Sequence, residues 1–138
     1  MVIVSAACAA TASMATQPKP FFTAEQYLAI EREAGYKSEY FNGEMFAMAG
    51  AQRAHSQLVA SLVRELGQRF RGRPCDVYPG DMRVLVKSTG LYTYPDVTEV
   101  CGEQHFADGQ VDTRLNPSLI VEVLSRSTEA QDRGLKFE

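Results

Sequence analysis

The chain has 138 residues, of which 45% are hydrophobic and 22% are charged, a length and composition typical of one globular domain with a single core. The 14 Lys and Arg side chains and the 17 Asp and Glu side chains give a net charge of −3, which excludes an overall attraction to phosphate and leaves only a local basic patch for nucleic acid. No segment is apolar enough to predict a membrane span.

Residues 1–20 differ from the rest of the chain. They carry no charge before Lys19 and contain many small residues, which gives them a faint similarity to a signal peptide, but they lack a basic start and a long apolar run. We expect a disordered tail, or an extended gene start with Met14 as the true initiator. A single domain is predicted over residues 21–138.

The segment FFTAEQYLAIEREAG predicts the first helix. Thr23 and Gln26 have the spacing of a capping box, and Phe22 and Tyr27 that of a hydrophobic staple. Gly35 is the predicted end of the helix. The segment SEYFNGEMFAMAG follows, and its Asn-Gly pair between two aromatic-bearing runs predicts a tight hairpin.

A second helix is predicted over AQRAHSQLVASLVRELGQRFRG. Apolar residues recur along one face of it: Leu58, Leu62, Leu66 and Phe70. Basic residues cluster on and after it, with Glu65 as the acid among them: Arg53, Arg64, Arg69, Arg71 and Arg73. Such a row of basic residues either binds a nucleic-acid phosphate backbone or is a helix face exposed to water. The basic residues at its C-terminal end are equally explained by the helix dipole, which favours positive charge there.

Strand patterns dominate the remainder. CDVYPG is short, MRVLVK alternates so that Arg83 and Val84 face opposite sides, and LYTYPDVTEVC is one extended run before the polar loop GEQHFADGQVDTRLN. The aliphatic run around Glu122 predicts a strand buried on both faces, and STEAQDRGLKFE begins a last helix. The order predicts an α/β (α+β mixed) fold with one central mixed sheet flanked by helices.

Four acids lie where these strands begin, end or turn: Glu44, Asp81, Asp96 and Glu122. An ionised carboxylate among aliphatic neighbours, as at Glu122, costs on the order of several kcal/mol unless it is compensated. A divalent ion of the magnesium type removes the repulsion between converging carboxylates and binds one or two of them together with water and phosphate. Asp96 and Glu122, on neighbouring predicted strands, are a sufficient pair.

Each candidate also has an ordinary structural explanation. Asp96 after a proline is a common turn or edge acceptor, Asp81 is a natural turn residue, and Glu44 fits an exposed hairpin position. His55 is explained by packing on the second helix. Lys136, the nearest cation after the Glu122 strand, is explained by an i,i+4 ion pair on the last helix.

The three cysteines, Cys8, Cys75 and Cys101, have no Cys-x-x-Cys spacing, and His55 and His105 are the two histidines. This pattern argues against a zinc site. It predicts reduced thiols and a cytoplasmic location.

The segments EYFNGEMFAMAG, DMRV, YTYPDVTEVC and PSLIVEVLSRSTEAQDRGLKF together resemble the Uma-two (Uma2) family of putative restriction endonucleases, in the PD-(D/E)XK nuclease superfamily. The resemblance runs from about Phe22 to the last residue, with the segments in the family's order and at compatible spacings. It implies a restriction-endonuclease-like core. It also implies a metal-dependent endonuclease that hydrolyses DNA phosphodiester bonds with Mg²⁺ or Mn²⁺.

The same resemblance implies roles for the two central acids and for a lysine. Asp96 matches the acid of the family's Pro-Asp motif and Glu122 the second acid of the superfamily signature, and both would bind the metal. Leu124 stands where the plain signature has lysine, so the implied catalytic lysine is Lys136 on the following helix. Glu44 matches an acid that completes the catalytic set.

Asp81 and His55 match recurrent positions of the family and are secondary candidates. Departures from the pattern are Glu99, where an aliphatic residue is usual, and Arg126, where proline is usual.

The family normally continues beyond the last residue of this sequence, so the sequence predicts a domain that lacks its last elements. Two alternatives to an active nuclease therefore stay open: a catalytically weak or inactive relative acting as a binding or assembly module, and an unstable gene fragment. Nucleases of this fold often act as dimers, and a homodimer is compatible with the resemblance.

Overall fold

A computed structural model of the chain describes residues 19–124. Two helices and eight strands follow one another in these residues: α1 Ala24–Glu33, β1 Ser38–Phe41, β2 Glu44–Ala47, α2 Arg53–Arg69, β3 Cys75–Pro79, β4 Arg83–Val86, β5 Leu91–Thr93, β6 Val97–Cys101, β7 Thr113–Arg114 and β8 Leu119–Val121. The predicted mixed α/β class is confirmed. The predicted last helix with Lys136 and most of the predicted N-terminal tail lie outside the described residues.

The strands form two sheets rather than the one sheet expected. The five-stranded sheet has the order β2-β1-β5-β4-β7, and the three-stranded sheet has the order β3-β6-β8. β4 and β7 pair in parallel, and the other pairs are antiparallel.

Two of the chain's passages between the sheets occur at prolines, and they are called the first and the second crossing. Pro79 ends β3 before the chain enters β4, and Pro95 lies between β5 and β6. A proline has no N–H with which to continue a ladder, so the extended run predicted from LYTYPDVTEVC divides at Pro95. These two crossings lie close together. A Cβ atom built on Gly80, at the first crossing, would lie 3.5 Å from the carbonyl oxygen of Pro95, at the second.

The capping box predicted for α1 and the tight turn predicted between β1 and β2 are confirmed. The Thr23 hydroxyl accepts from the Gln26 N–H and the Gln26 side chain accepts from the Thr23 N–H, which forms the predicted capping box of α1. The helix ends at Glu33, two residues before Gly35. Asn42 and Gly43 have φ values of 46° and 82°, the left-handed conformations that a two-residue hairpin between β1 and β2 requires.

The core centres on three tyrosines from α1, β1 and β5. Tyr27, Tyr40 and Tyr92 form one buried cluster, and the rings of Tyr27 and Tyr40 stack with centroids 5.0 Å apart. The Tyr27 hydroxyl donates to the Ser38 carbonyl oxygen at 2.7 Å, so its polar end is satisfied inside the core. Phe22 packs against this cluster, as the predicted staple requires.

A buried guanidinium connects α1 with the large sheet. Arg83 is 3% exposed, and its side chain donates to the Tyr94 hydroxyl at 2.9 Å and to the Thr113 hydroxyl at 2.9 Å. A third guanidinium nitrogen lies 2.8 Å from Asp112. The alternation of MRVLVK predicts one buried and one exposed face for β4, and this prediction is wrong at Arg83 and Val84. Both residues are buried, because both faces of the strand are covered.

Asp112 is shared between this buried arginine and α1. Its two carboxylate oxygens accept from Arg32 at 2.8 and 3.1 Å. Hydrogen bonding from Arg32 holds the pKa of Asp112 well below its usual range. The polar loop predicted before β8 is therefore only partly a loop: it supplies Asp112 and then β7, whose residues are buried.

Three further expectations are corrected. On α2, Leu58 is 54% exposed, although the other three residues of the predicted apolar face are half-buried, and Val59 and Val63 line the cavity described below. Within residues 19–124, β8 lies at the edge of its sheet, and Leu119 and Ile120 are 37% and 42% exposed, so the strand is not buried on both faces there. Both differences arise because strand order and helix position, which periodicity does not encode, decide which face is covered.

The third correction concerns the cysteines. The expected reduced thiols are replaced in this structure by a disulfide between Cys75 and Cys101, which are directly opposed on β3 and β6. Their sequence separation of 26 gave no indication of this proximity. In the described residues, no helix has both the length and the apolarity that crossing a membrane requires.

We expect Asp112→Asn to destabilise the fold at neutral pH by about 1 kcal/mol, discounted for the partial exposure of this carboxylate. The lowered pKa means that the stabilisation is complete above the ordinary carboxyl pKa and is lost as the pH falls through the native value. Urea unfolding from pH 7 down to pH 3 checks this. The variant should lose less stability on acidification than the wild type, and parallel curves would contradict the assignment.

Candidate active site

A cavity of about 750 Å³ lies where the two sheets meet below α2. Its walls come from the start of β1, the segment before α2, the inner face of α2, the two crossings between the sheets and the residues after β8. Four of the residues predicted from the sequence line it: His55, Asp81, Asp96 and Glu122.

Asp96 occupies the second crossing, directly after Pro95 and before β6. Its Oδ2 atom accepts from the Val123 N–H at 2.7 Å and lies 3.1 Å from His55 Nε2. Both of these hydrogen bonds use Oδ2. The carboxylate is therefore oriented from two sides, by the backbone after β8 and by α2.

Glu122 follows β8 and lines the same cavity. β6 and β8 are antiparallel, with Val97 opposite Val121. Continuing this register by one residue sets Asp96 opposite Glu122, and directly opposed residues of an antiparallel pair project to the same side. The neighbouring-strand arrangement that the sequence predicts for these two acids is present.

His55 lies in the first turn of α2, and its side chain is 20% exposed. An ionised carboxylate only accepts hydrogen bonds, so the contact with Asp96 requires the proton on Nε2. The other ring nitrogen, Nδ1, is buried without a hydrogen-bond partner among residues 19–124. His55 thus positions Asp96 in addition to packing on the helix.

Lys37 is a cavity residue that sequence reasoning missed. It precedes β1, and its ammonium donates to Asp81 Oδ1 at 2.7 Å and to the Gly80 carbonyl oxygen at 2.9 Å. It also lies 5.6 Å from the centre of the Tyr94 ring. No local motif marks Lys37, because its place depends on packing the β1 end against the first crossing.

Tyr94 joins the cavity to the buried arginine network. It lines the cavity, accepts from Arg83 and donates to Glu31 Oε1 at 2.9 Å. Burial raises the pKa of Tyr94 to about 12, so its hydroxyl stays protonated and remains a donor to Glu31 at neutral pH.

The remaining predicted residues are not brought to this cavity by the described structure. Glu44 begins β2, at the far end of the hairpin, and its Oε2 lies 3.1 Å from Lys19 Nζ. The hairpin turn sets Glu44 on the edge strand of the large sheet, and Glu44 does not line the cavity. Lys136 lies outside the described residues.

Comparison with known proteins gives a family and a shared fold. Residues 24–138 match the Uma2 family, described as "Putative restriction endonuclease", and the chain belongs to this family. A crystal structure of a putative nuclease belonging to DUF820 from Anabaena variabilis ATCC 29413 superposes with a TM-score of 0.64 at 18% identity, covering 81% of this chain and 65% of that one. The likeness shows that the two proteins share a fold.

Two curated relatives come from Synechocystis sp. (strain ATCC 27184 / PCC 6803 / Kazusa). The uncharacterized protein sll1609 is 38% identical over 115 residues, which are 83% of this chain and 65% of the relative. The uncharacterized protein slr1290 is 38% identical over 120 residues, which are 87% of this chain and 62% of the relative. The chain thus spans just under two thirds of the length of these relatives.

We expect Asp96→Ala to speed hydrogen exchange of the Val123 amide by about 10-fold, since the variant removes a charge-assisted acceptor. Amide exchange followed by NMR measures this directly. Asp81→Asn is the matched control, because Asp81 lines the same cavity but bonds Lys37. Unchanged exchange at Val123 in Asp96→Ala would contradict the geometry of the site.

Proposed function

We propose that this chain is a metal-dependent endonuclease that hydrolyses phosphodiester bonds in DNA. The observation that carries the proposal is the convergence of Asp96 and Glu122 on one cavity from paired strands. Membership of the Uma2 family supports the same reaction class. The proposed compartment is the cytoplasm, where DNA is accessible.

The residues of the cavity suit a hard divalent cation. Carboxylate oxygens are the ligands that Mg²⁺ and Mn²⁺ prefer, and magnesium needs only one or two of them beside water and phosphate. Asp96 and Glu122 would hold the ion. When bound, such an ion supplies an activated water and stabilises charge on the phosphate.

The chain's own residues have positioning and charge-stabilising roles in the proposed reaction. His55 and the Val123 N–H fix one oxygen of Asp96, which limits the rotation of the carboxylate. Lys37 offers the cavity a positive charge, held by Asp81, that favours a bound phosphodiester. Lys136 stays a candidate for the same role.

The exposed face of α2 is a candidate binding surface for the DNA backbone. Arg53, Arg64 and Arg69 are exposed on this helix, and Arg64 pairs with Glu65 at 3.0 Å in a contact open to solvent. Such an exposed pair is weak, so phosphate competes for the arginine at little cost. The proposed dimer is not required by this geometry.

We expect the full chain to cleave duplex DNA with Mg²⁺ or Mn²⁺, and Asp96→Ala and Glu122→Ala to lower the rate by at least about 10²-fold because the ion loses a ligand. Glu103→Gln is the control, since Glu103 is 89% exposed and does not line the cavity. Gel-resolved cleavage with chelator blanks measures the rates. Equal activity in the wild type and both alanine variants would refute the proposal.

A second candidate, a non-catalytic binding or assembly module of the same fold, is favoured by the exposed apolar edge strand β8. Calorimetry with Mn²⁺ separates the two functions. Uptake that is lost in Glu122→Gln supports the nuclease, and no uptake, or uptake unchanged by Glu122→Gln, supports the module.

The role of Lys37 has a separate test. Lys37→Met should lower cleavage by about 10²-fold with Mn²⁺ affinity retained, because the variant removes a charge that acts on phosphate and not on the ion. Lys37→Arg should recover part of the rate. If Lys37→Met cleaves normally while Lys136→Met does not, the catalytic cation is Lys136 and the role proposed for Lys37 is wrong.

A further inference from the structure

A second group of ligand-type side chains lies at the opposite end of β6 from Asp96. Cys75 and Cys101 are cross-strand partners of β3 and β6, and Glu99 lies two residues before Cys101, on the same face of β6. Within residues 19–124, the ligand atoms of these three side chains lie within 4.8 Å of one another. Asp96 and Cys101 are five residues apart, or about 16 Å along an extended strand.

Glu99 is the unusual member of this group. Its side chain belongs to a residue that is 4% exposed, and its Oε1 lies 2.6 Å from Cys101 Sγ. In this structure the same sulfur is bonded to Cys75, and a disulfide sulfur carries no proton to donate to a carboxylate. A buried carboxylate against a sulfur is favourable when the sulfur carries a proton or when a cation lies between the two atoms. The placement of Glu99 therefore suits the reduced cysteine pair better than the oxidised one.

We propose that the reduced chain binds a thiophilic divalent cation, of which Zn²⁺ is the probe, through Cys75, Cys101 and Glu99. Two thiolates and one carboxylate are zinc ligands, and the exposed position of Cys101 lets water complete a four-coordinate site. The ion also compensates the buried charge of Glu99. Magnesium does not compete, because it selects oxygen ligands.

The disulfide and the metal site exclude each other. Opening the disulfide to two thiols takes two electrons and two protons: two thiols supply both and become a disulfide, whereas a phosphine supplies the electrons and becomes a phosphine oxide while water supplies the oxygen and the protons. Zn²⁺ then binds the two thiolates and releases the two thiol protons. A two-electron oxidant, such as a small-molecule disulfide that is reduced to two thiols, reverses the exchange: it takes the two electrons of the dithiolate, the S–S bond re-forms and the ion is released. The cluster is thus a metal site under reducing conditions and a covalent strand clamp under oxidising ones.

Cobalt titration of the full chain, reduced with a phosphine that does not compete for metal, tests this proposal. With excess Mg²⁺ present to occupy the carboxylate site, we expect a thiolate-to-cobalt charge-transfer band that saturates at one thiolate-bound Co²⁺ per chain and that Zn²⁺ removes. The oxidised chain should give no band. A reduced chain without the band overturns the proposal.

Variants assign the ligands. Cys75→Ser and Cys101→Ser should remove the band, Glu99→Gln should weaken Co²⁺ affinity by at least about 10-fold, and Cys8→Ser should change nothing. A band that persists in Cys75→Ser and is lost in Cys8→Ser overturns the assignment. If the serine variants do not fold, zinc protection of the wild type decides: Zn²⁺ should slow alkylation of Cys75 and Cys101, measured on their peptides by mass spectrometry, and equal alkylation with and without Zn²⁺ overturns the proposal.

Discussion

The buried guanidinium of Arg83 ties together the parts of this fold that local interactions leave separate. It bonds the Tyr94 hydroxyl after β5 and the Thr113 hydroxyl on β7, and it pairs with Asp112. Removing a partner from a buried charge is strongly destabilising, so each of these segments is held where the arginine needs it. Glu31 extends the network into α1 by accepting from Tyr94, and the core of the large sheet and its helix therefore share one set of polar contacts.

This network also determines where the candidate active site forms. Tyr94 is fixed by Arg83 and Glu31 two residues before Asp96, at the point where Pro95 ends one ladder and the chain enters the other sheet. The cavity lies at this crossing: β6 and β8 of the three-stranded sheet provide the two carboxylates, α2 packs on the same sheet, and the segment before β1 adds Lys37 from the side of the large sheet. β6 then separates the two proposed metal sites, with carboxylates before its start and cysteines at its end.

Sequence patterns anticipated the features that depend on neighbouring residues. The capping box at Thr23 and the Asn42-Gly43 turn are local hydrogen-bonding and dihedral requirements, so their signals carry over directly into the fold. The pairing of the Asp96 and Glu122 strands was also expected, because two acids at strand ends and a family resemblance pointed the same way. Lys37 could not be found, since nothing in its own segment distinguishes it from a surface lysine.

The sequence by itself determined the mixed α/β class, the first helix and hairpin, and the two acids around which the proposed chemistry is built. Only the tertiary structure decided that Arg83 is buried, that β8 is an exposed edge, and that Cys75 meets Cys101. The physical reason is the distance along the chain over which each interaction acts. Capping, turn geometry and alternation act over a few residues, whereas burial and contact depend on which strands become neighbours, and that choice is made by packing the whole chain at once.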